Sequence, residues 1–296
     1  LGYKNYISFN NLKKYNGKFT NIDFNKKNRK DLNSICNLKN NIKIYNYFLQ
    51  ELTIILNKKH NLSYSKKIWE IIIGHWLIRF IGIVSSNYYL LRFLKKKYII
   101  DSLMIPKFKS NDLYLLSAQD SFDFSKQIKS EVWNERLLDE INKITKSFHI
   151  LNYPYKKKKK SINSGSKIKN LIKKFINFLP INLNDNLFIY DGYLPKRVNF
   201  FLKLKFFNLP LVYPVSVNTS EFKFDKSFRE ILFEKKIKNE LILILQKLLP
   251  MYIPRIFLEG FSYSNKLVSQ YNWPKKPKII LSSNTFFDND HFKFWI

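Results

Sequence analysis

Lys278-Ile279-Ile280-Leu281-Ser282-Ser283-Asn284-Thr285 carries the pattern from which the fold class follows. A short apolar run between a lysine and a cluster of hydroxyl and amide residues predicts a strand that ends in a polar turn. A helix is expected after Asp288. Upstream, Leu187-Phe188-Ile189-Tyr190, closed by Asp191-Gly192, has the same form. Pro195 suits a first helical turn, and Val198 to Phe207 reads as the helix that follows. Leu211 to Val215 reads as another strand. Phe228, Ile231, Leu232, Leu241, Ile244, Leu245 and Leu248 form a helical stripe closed by Pro250. Strands alternating with helices imply parallel pairing, because a parallel strand needs a crossover to return. The expected fold is therefore α/β, with a Rossmann-like parallel sheet in the later part.

The earlier part reads differently. Residues 1–40 are polar and poorly periodic. Tyr45, Phe48, Leu49, Leu52, Ile55 and Leu56 then recur at helical spacing and predict an amphipathic helix ending near His60. Ser63 and Ser65 are candidate caps for a second helix from Lys66. Gly74 and Gly82 mark either breaks in that helix or close packing, and a third helix is expected from Ser86 to Lys97. The run from Ile68 to Leu94 is strongly apolar but carries Glu70, His75, Arg79 and Arg92. A spanning helix needs about 20 nearly uncharged residues, so buried helices are expected. Residues 111–147 read as largely helical, with Trp133, Leu137, Leu138 and Ile141 on one face. The expected organisation is a helix-rich region over 1–155, a basic linker over 156–170 and an α/β region over 171–296. Lys156 to Lys160 repel one another and stay solvated; they are an exposed loop or a phosphate or lipid contact.

Composition excludes some functions. Of 296 residues, 45% are hydrophobic and 17% aromatic, too many for a disordered chain. The net charge of +30 invites a polyanion partner. It comes from 45 lysines against 7 arginines, whereas bidentate recognition of phosphates and bases favours arginine. A single alanine, Ala118, among abundant Lys, Asn, Ile, Phe and Tyr is what an AT-rich coding sequence translates to. Nucleic acid is therefore not the expected partner, while peripheral contact with anionic membrane lipid fits the surface better. Cys36 has no second cysteine to pair with, which suits a reducing compartment. The chain begins at Leu1 and ends inside a helical pattern, so a fragment is expected.

No P-loop, dinucleotide fingerprint, nucleophile elbow or metal-spaced Cys/His cluster is present. No metal or cofactor is expected. Candidate residues come from context. Ser282, Ser283 and Asn284 could hold a sugar or phosphate at a helix start, or be ordinary turn chemistry with Asp288 as the cap. Trp69 and Trp76 could stack on a sugar ring, with His75 as a proton shuttle, or belong to the core. Glu259, in Phe257-Leu258-Glu259-Gly260-Phe261, is either a tuned base or a buried, paired carboxylate.

The chain resembles the transferases encoded in O-antigen and other surface-polysaccharide gene clusters. The matching segments are Leu56-Asn57-Lys58-Lys59-His60 with Tyr64-Ser65 and Trp69, Ile73-Gly74-His75-Trp76-Leu77, Glu131-Val132-Trp133-Asn134, and Tyr193-Leu194-Pro195. They continue through Pro254-Arg255-Ile256-Phe257-Leu258-Glu259-Gly260-Phe261 and Trp273-Pro274-Lys275-Lys276-Pro277-Lys278 to Ser282-Ser283-Asn284 and Phe292-Lys293-Phe294-Trp295. Family members usually carry proline where His75 stands, which argues against an essential role for it. They carry threonine where Ser282 stands, which keeps the hydroxyl. Leu1-Gly2 looks like the tail of the family's first strand, and members continue past Trp295 into a second α/β half.

The resemblance implies the first lobe of a two-lobed GT-B-like glycosyltransferase in the cytoplasm. A nucleotide-activated donor would pass a glycosyl or related group to a glycan or lipid-linked acceptor. Glu259 and Asp290 would be catalytic; Trp69, Trp76, Tyr193, Ser282, Ser283 and Asn284 would bind substrate. The alternative is a non-catalytic basic module for nucleic acid or anionic membrane.

Overall fold

The computed structural model describes residues 38–100, 102–107, 117–154, 187–190, 194–205, 222–231, 233, 238–271, 273–274 and 276–296. Cys36, the lysine run, the expected linker, Tyr193 and the expected strand Leu211–Val215 lie outside them.

Helix α1, Leu38–His60, buries Ile44, Phe48, Leu49, Leu52 and Leu56 along one face, the helical spacing read from the sequence. Its last turn hands over to α2, Lys66–Lys97, through a turn organised by Asn57. The Asn57 amide donates to the Tyr64 carbonyl at 2.8 Å, and its oxygen accepts from Tyr64 N at 3.1 Å and Trp69 Nε1 at 2.8 Å. Ser65 caps α2, its Oγ accepting from Ile68 N at 3.4 Å.

α2 is one continuous helix of 32 residues, so neither Gly74 nor Gly82 breaks it and no separate helix starts at Ser86. Gly74 is there for close approach: a β-carbon would lie 2.7 Å from the Tyr45 hydroxyl, which donates to Glu70. Around Gly82 there is open space. By length and composition α2 could cross a membrane. Its apolar residues are instead buried against α1, α4 (Glu131–Thr145) and α6 (Glu240–Tyr252).

Two strands not foreseen, β1 (Ser102–Lys107) and β2 (His149–Pro154), pair in parallel from Ser102 opposite His149 to Lys107 opposite Pro154. The crossover carries α3 (Ser121–Gln127) and α4, and α4 packs on β1. Neither strand alternates apolar with polar residues, and β1 contains Pro106, so neither carries the usual strand signal. The second parallel pair is the expected one. β3, Leu187–Ile189, lies beside β4, Ile279–Leu281, and Tyr190 N extends the ladder to the Leu281 carbonyl at 2.9 Å.

Helix α5, Lys196–Lys205, follows Pro195. The stripe expected from Phe228 is not one helix. Phe228 sits in a turn gathered by Asp225, whose Oδ1 accepts from Ser227 N, Ser227 Oγ and Phe228 N. α6 starts only at the Asn239 cap and runs through Pro250 to Tyr252. A 3-10 turn, Arg255–Phe257, leads into α7, Phe261–Ser269. After β4 come a single turn, α8 (Thr285–Asp288), and α9 (Asp290–Trp295). The α9 cap is Asn289, not Asp288; the Asp288 carboxylate accepts from Ser125 Oγ at 2.9 Å.

The main core joins α1, α2 and α4 to α6 and Phe261, so residues expected in the later region complete the helical core. Trp76, Phe80, Phe124, Trp133 and Tyr252 form its aromatic centre. Each such side chain stabilises the fold by about 1.5–3 kcal/mol when fully buried. A second cluster, Phe188, Tyr190, Val268, Tyr271, Trp273 and Phe292, fills the space beneath β3 and β4. Phe294 packs against both clusters.

Candidate functional site

Two polar regions result. The first is the rim at the carboxyl end of β4. Ser282 Oγ donates to Thr285 Oγ1 at 2.7 Å and closes the turn into α8. Asn284 at the head of that turn is exposed and makes no side-chain cap bond. The turn therefore uses Ser282 for its own geometry and leaves the Asn284 amide facing solvent. Thr285 is buried, and Phe286 and Phe287 are exposed. Beneath the rim, Arg79 Nη1 donates to Ser125 Oγ at 2.9 Å, and Ser125 in turn bonds Asp288. His75 packs its ring on Phe287 at 4.5 Å. Burial first, then the nearby Lys293 and Arg79 charges, lower its pKa to about 4, so the imidazole is neutral near pH 7.

Asp290 is not on the rim. Its carboxylate is buried, accepting from Ser121 N at 2.7 Å, Ser121 Oγ at 2.6 Å and Lys293 Nζ at 2.7 Å. Lys293 Nζ also donates to Ser121 Oγ at 2.9 Å. The cluster ties the start of α3 to α9, and in this structure Asp290 holds elements together rather than meeting a substrate. Trp69 and Trp76 are also corrected: both are fully buried. Trp69 is wedged among His60, Tyr64 and Phe261 with its N–H on Asn57, and Trp76 stacks on Phe80. A sugar ring could reach neither without opening the core.

The second region is an open cleft of about 560 Å³ between the end of α1, the 222–228 segment and the start of α7. Asn61 reverses the chain in a left-handed conformation with φ 53°, which asparagine tolerates better than most residues. The reversal leaves Lys59 and His60 on the cleft wall. His60 stacks on Phe261 at 4.3 Å, and its Nε2 bonds the Phe257 carbonyl at 3.1 Å. A carbonyl only accepts, so Nε2 carries the proton and the neutral ring keeps its lone pair on Nδ1. Burial lowers the His60 pKa and favours that neutral form.

The opposite wall is fixed by two arginines. Arg255 donates to Ser117 Oγ at 3.1 Å and to the Phe222 carbonyl at 2.9 Å. Phe222 lies over Gly260, where a β-carbon would run into the ring; glycine leaves room for it. Arg229, fully buried, grips both oxygens of Glu259. Its remaining fork reaches the carbonyls of Pro250 at 3.0 Å, Met251 at 3.3 Å and Ile253 at 2.9 Å, closing the end of α6. Glu259 Oε1 also accepts from Asp225 N at 3.1 Å. Of the two readings open for Glu259, the paired carboxylate is what the structure displays; as placed, it lacks the free oxygen that a base requires.

Four of the segments behind the family resemblance meet in space: 56–60 and 64–69 pack against 254–261 beside the cleft, and 292–295 packs behind them. Sequence reading missed Lys59, His60 and Lys223 as a group, and Arg229, Ser121 and Lys293 as anchors. No local signal reports them, since His60 and Phe257 are separated by 197 positions. Among the described residues no group of three or more His, Cys, Asp or Glu could hold a metal ion.

The fold and these sites define an α/β protein with a large helical core, short parallel strand pairs and a polar cleft beside a polar strand-end rim. The model of the LIC12162 family transferase matches residues 3–296, and the chain belongs to that family of transferases. No curated protein and no solved structure matches it.

Proposed function

We propose that the chain transfers a glycosyl or related group from a nucleotide-activated donor to a surface-polysaccharide acceptor of the O-antigen kind, within a GT-B-like architecture. Membership of a transferase family over residues 3–296 is the observation that carries this reading. The parallel pair β3/β4 supports it, because open α/β sheets bind ligands beyond the carboxyl ends of their strands. That end of β4 presents Ser282, Ser283 and Asn284.

In such a reaction an acceptor hydroxyl attacks the activated carbon as the nucleoside diphosphate leaves. Most of the acceleration comes from holding the reactants in line and stabilising the departing charge. Asn284 offers an amide to a sugar hydroxyl or phosphate oxygen. Arg79, Ser125 and Asp288 brace the turn that carries it. The lysine-rich surface suits a cytoplasmic enzyme that visits anionic lipid at the inner membrane.

The test is acceptor-dependent release of nucleoside diphosphate by the protein expressed from its full reading frame. It would be offered a panel of nucleotide-activated sugars with surface glycan as acceptor. Release with at least one donor is expected. No release from any member of the panel contradicts the reading.

A further inference from the structure

The cleft beside α1 is separate from the strand-end rim and has chemistry of its own. Lys59 and Lys223 line it, and neither forms an ion pair among the described residues. Of its two carboxylates, Glu259 is paired with Arg229, and Asp225 accepts the three donors of its own turn on Oδ1. Counting Arg229, three cations stand against two anions, so the cleft keeps one net positive charge. The walls include the Phe222 and Phe228 rings, with Lys59 Nζ 4.9 Å from the centre of the latter. Asn61 and Ser262, neutral donors and acceptors, line it as well, and so does the neutral His60 ring.

Aromatic walls, neutral hydrogen-bonding groups and cations not paired with a carboxylate are the features of a site for a hydroxylated ring bearing an anionic group. The volume is in the usual range of small-molecule sites, about 300–1,000 Å³. We propose that this cleft binds an acidic sugar, its carboxylate or phosphate held by Lys59 and Lys223 and one of its hydroxyls donating to Nδ1 of His60. The inference rests on the transferase reading only for the use made of the sugar, as the acceptor's anionic residue.

The test is calorimetric titration of the full chain with D-glucuronate, glucose 6-phosphate and uncharged glucose, in the absence of any nucleotide-activated donor. At least one acidic probe should bind saturably, and glucose at least about 10-fold more weakly, since it offers the lysines no charged acceptor. The better acidic probe identifies the anion as carboxylate or phosphate. Lys59→Met and Lys223→Met remove the charges from side chains outside the core. Each should weaken the acidic probe about 10-fold and leave the unfolding transition in place. Glucose binding as tightly as both acidic probes, parent-like affinity in both lysine variants, or no binding of either acidic probe would overturn the proposal. Because no donor is present, a failed transfer assay leaves this result standing, and a failed titration leaves the transferase reading standing.

Discussion

The Glu259–Arg229 pair distinguishes an anchor from a catalytic base. Glu259→Gln preserves shape but places an amide N–H₂ against Arg229 Nη2, donor facing donor, and leaves the guanidinium charge without a counterion. Removing one partner of a buried pair costs about 3–5 kcal/mol. Three carbonyls still receive Arg229 Nη1, so the loss should fall at the lower end, about 3 kcal/mol. Arg229→Met should cost more, about 5 kcal/mol, because it strands Glu259 and also orphans the carbonyls at the end of α6. In thermal unfolding the first loss corresponds to a Tm lower by about 6–12 °C, at roughly 2–4 °C per kcal/mol for a domain of this size. The double variant should be less destabilised than the sum of the singles, since neither charge is then left alone. Urea unfolding monitored by circular dichroism reads all three. The anchor role is refuted if both single variants stay within about 1 kcal/mol of the parent, or if Glu259→Gln is the more damaging.

Lys293→Met leaves the buried Asp290 with Ser121 alone and should cost about 3 kcal/mol, partly recovered when Asp290→Asn is added; urea midpoints check both. The pair Gly82→Ala and Gly74→Ala should diverge. The first sits in open space within a helix and should gain about 0.5–1 kcal/mol, whereas the second meets the Tyr45 hydroxyl and should gain nothing or lose stability. His291 is buried, bonded through Nδ1 to Tyr271 at 3.0 Å, and burial lowers its pKa to about 4. The unfolded chain therefore binds the extra proton first, so stability is full above about pH 6.5 and falls as pH drops toward 4. The contribution at stake is up to about 3 kcal/mol, and His291→Gln should flatten that part of the stability–pH curve.

How far the sequence was legible depended on the range of the interaction. α1 and α4 announced themselves through their apolar faces, and β3 and β4 through apolar runs bounded by turn residues. These signals are local, a few residues long, and tied to backbone geometry. A glycine lowers helix propensity, so Gly74 and Gly82 leave breaks and close packing equally open, and what decides at Gly74, the Tyr45 hydroxyl from another helix, lies 29 positions away. β1 and β2 were not read because their partnership is fixed by α4 packing across the crossover rather than by their own composition.

The sites follow the same rule. The Ser282–Thr285 turn was placed correctly at a strand end because its hydroxyl and amide content is a local signal. Glu259 stands out locally as a carboxylate among apolar residues and Asp290 enters only with the resemblance, but their partners Arg229 and Ser121 lie 30 and 169 positions away. Trp69 and Trp76 carry the same ring whether it faces a sugar or the core, and only tertiary packing decided that they face inward.

The proposed transfer reaction is assigned to the polar turn beyond β4. Steady-state nucleoside diphosphate release by Asn284→Ala, beside the parent and with surface glycan as acceptor, tests it most directly. The exposed Asn284 side chain makes no cap bond, so the fold should be unaffected and kcat/KM should fall about 10-fold or more as one substrate hydrogen bond is lost. An Asn284→Ala protein that unfolds like the parent and turns over at the parent rate would contradict the claim.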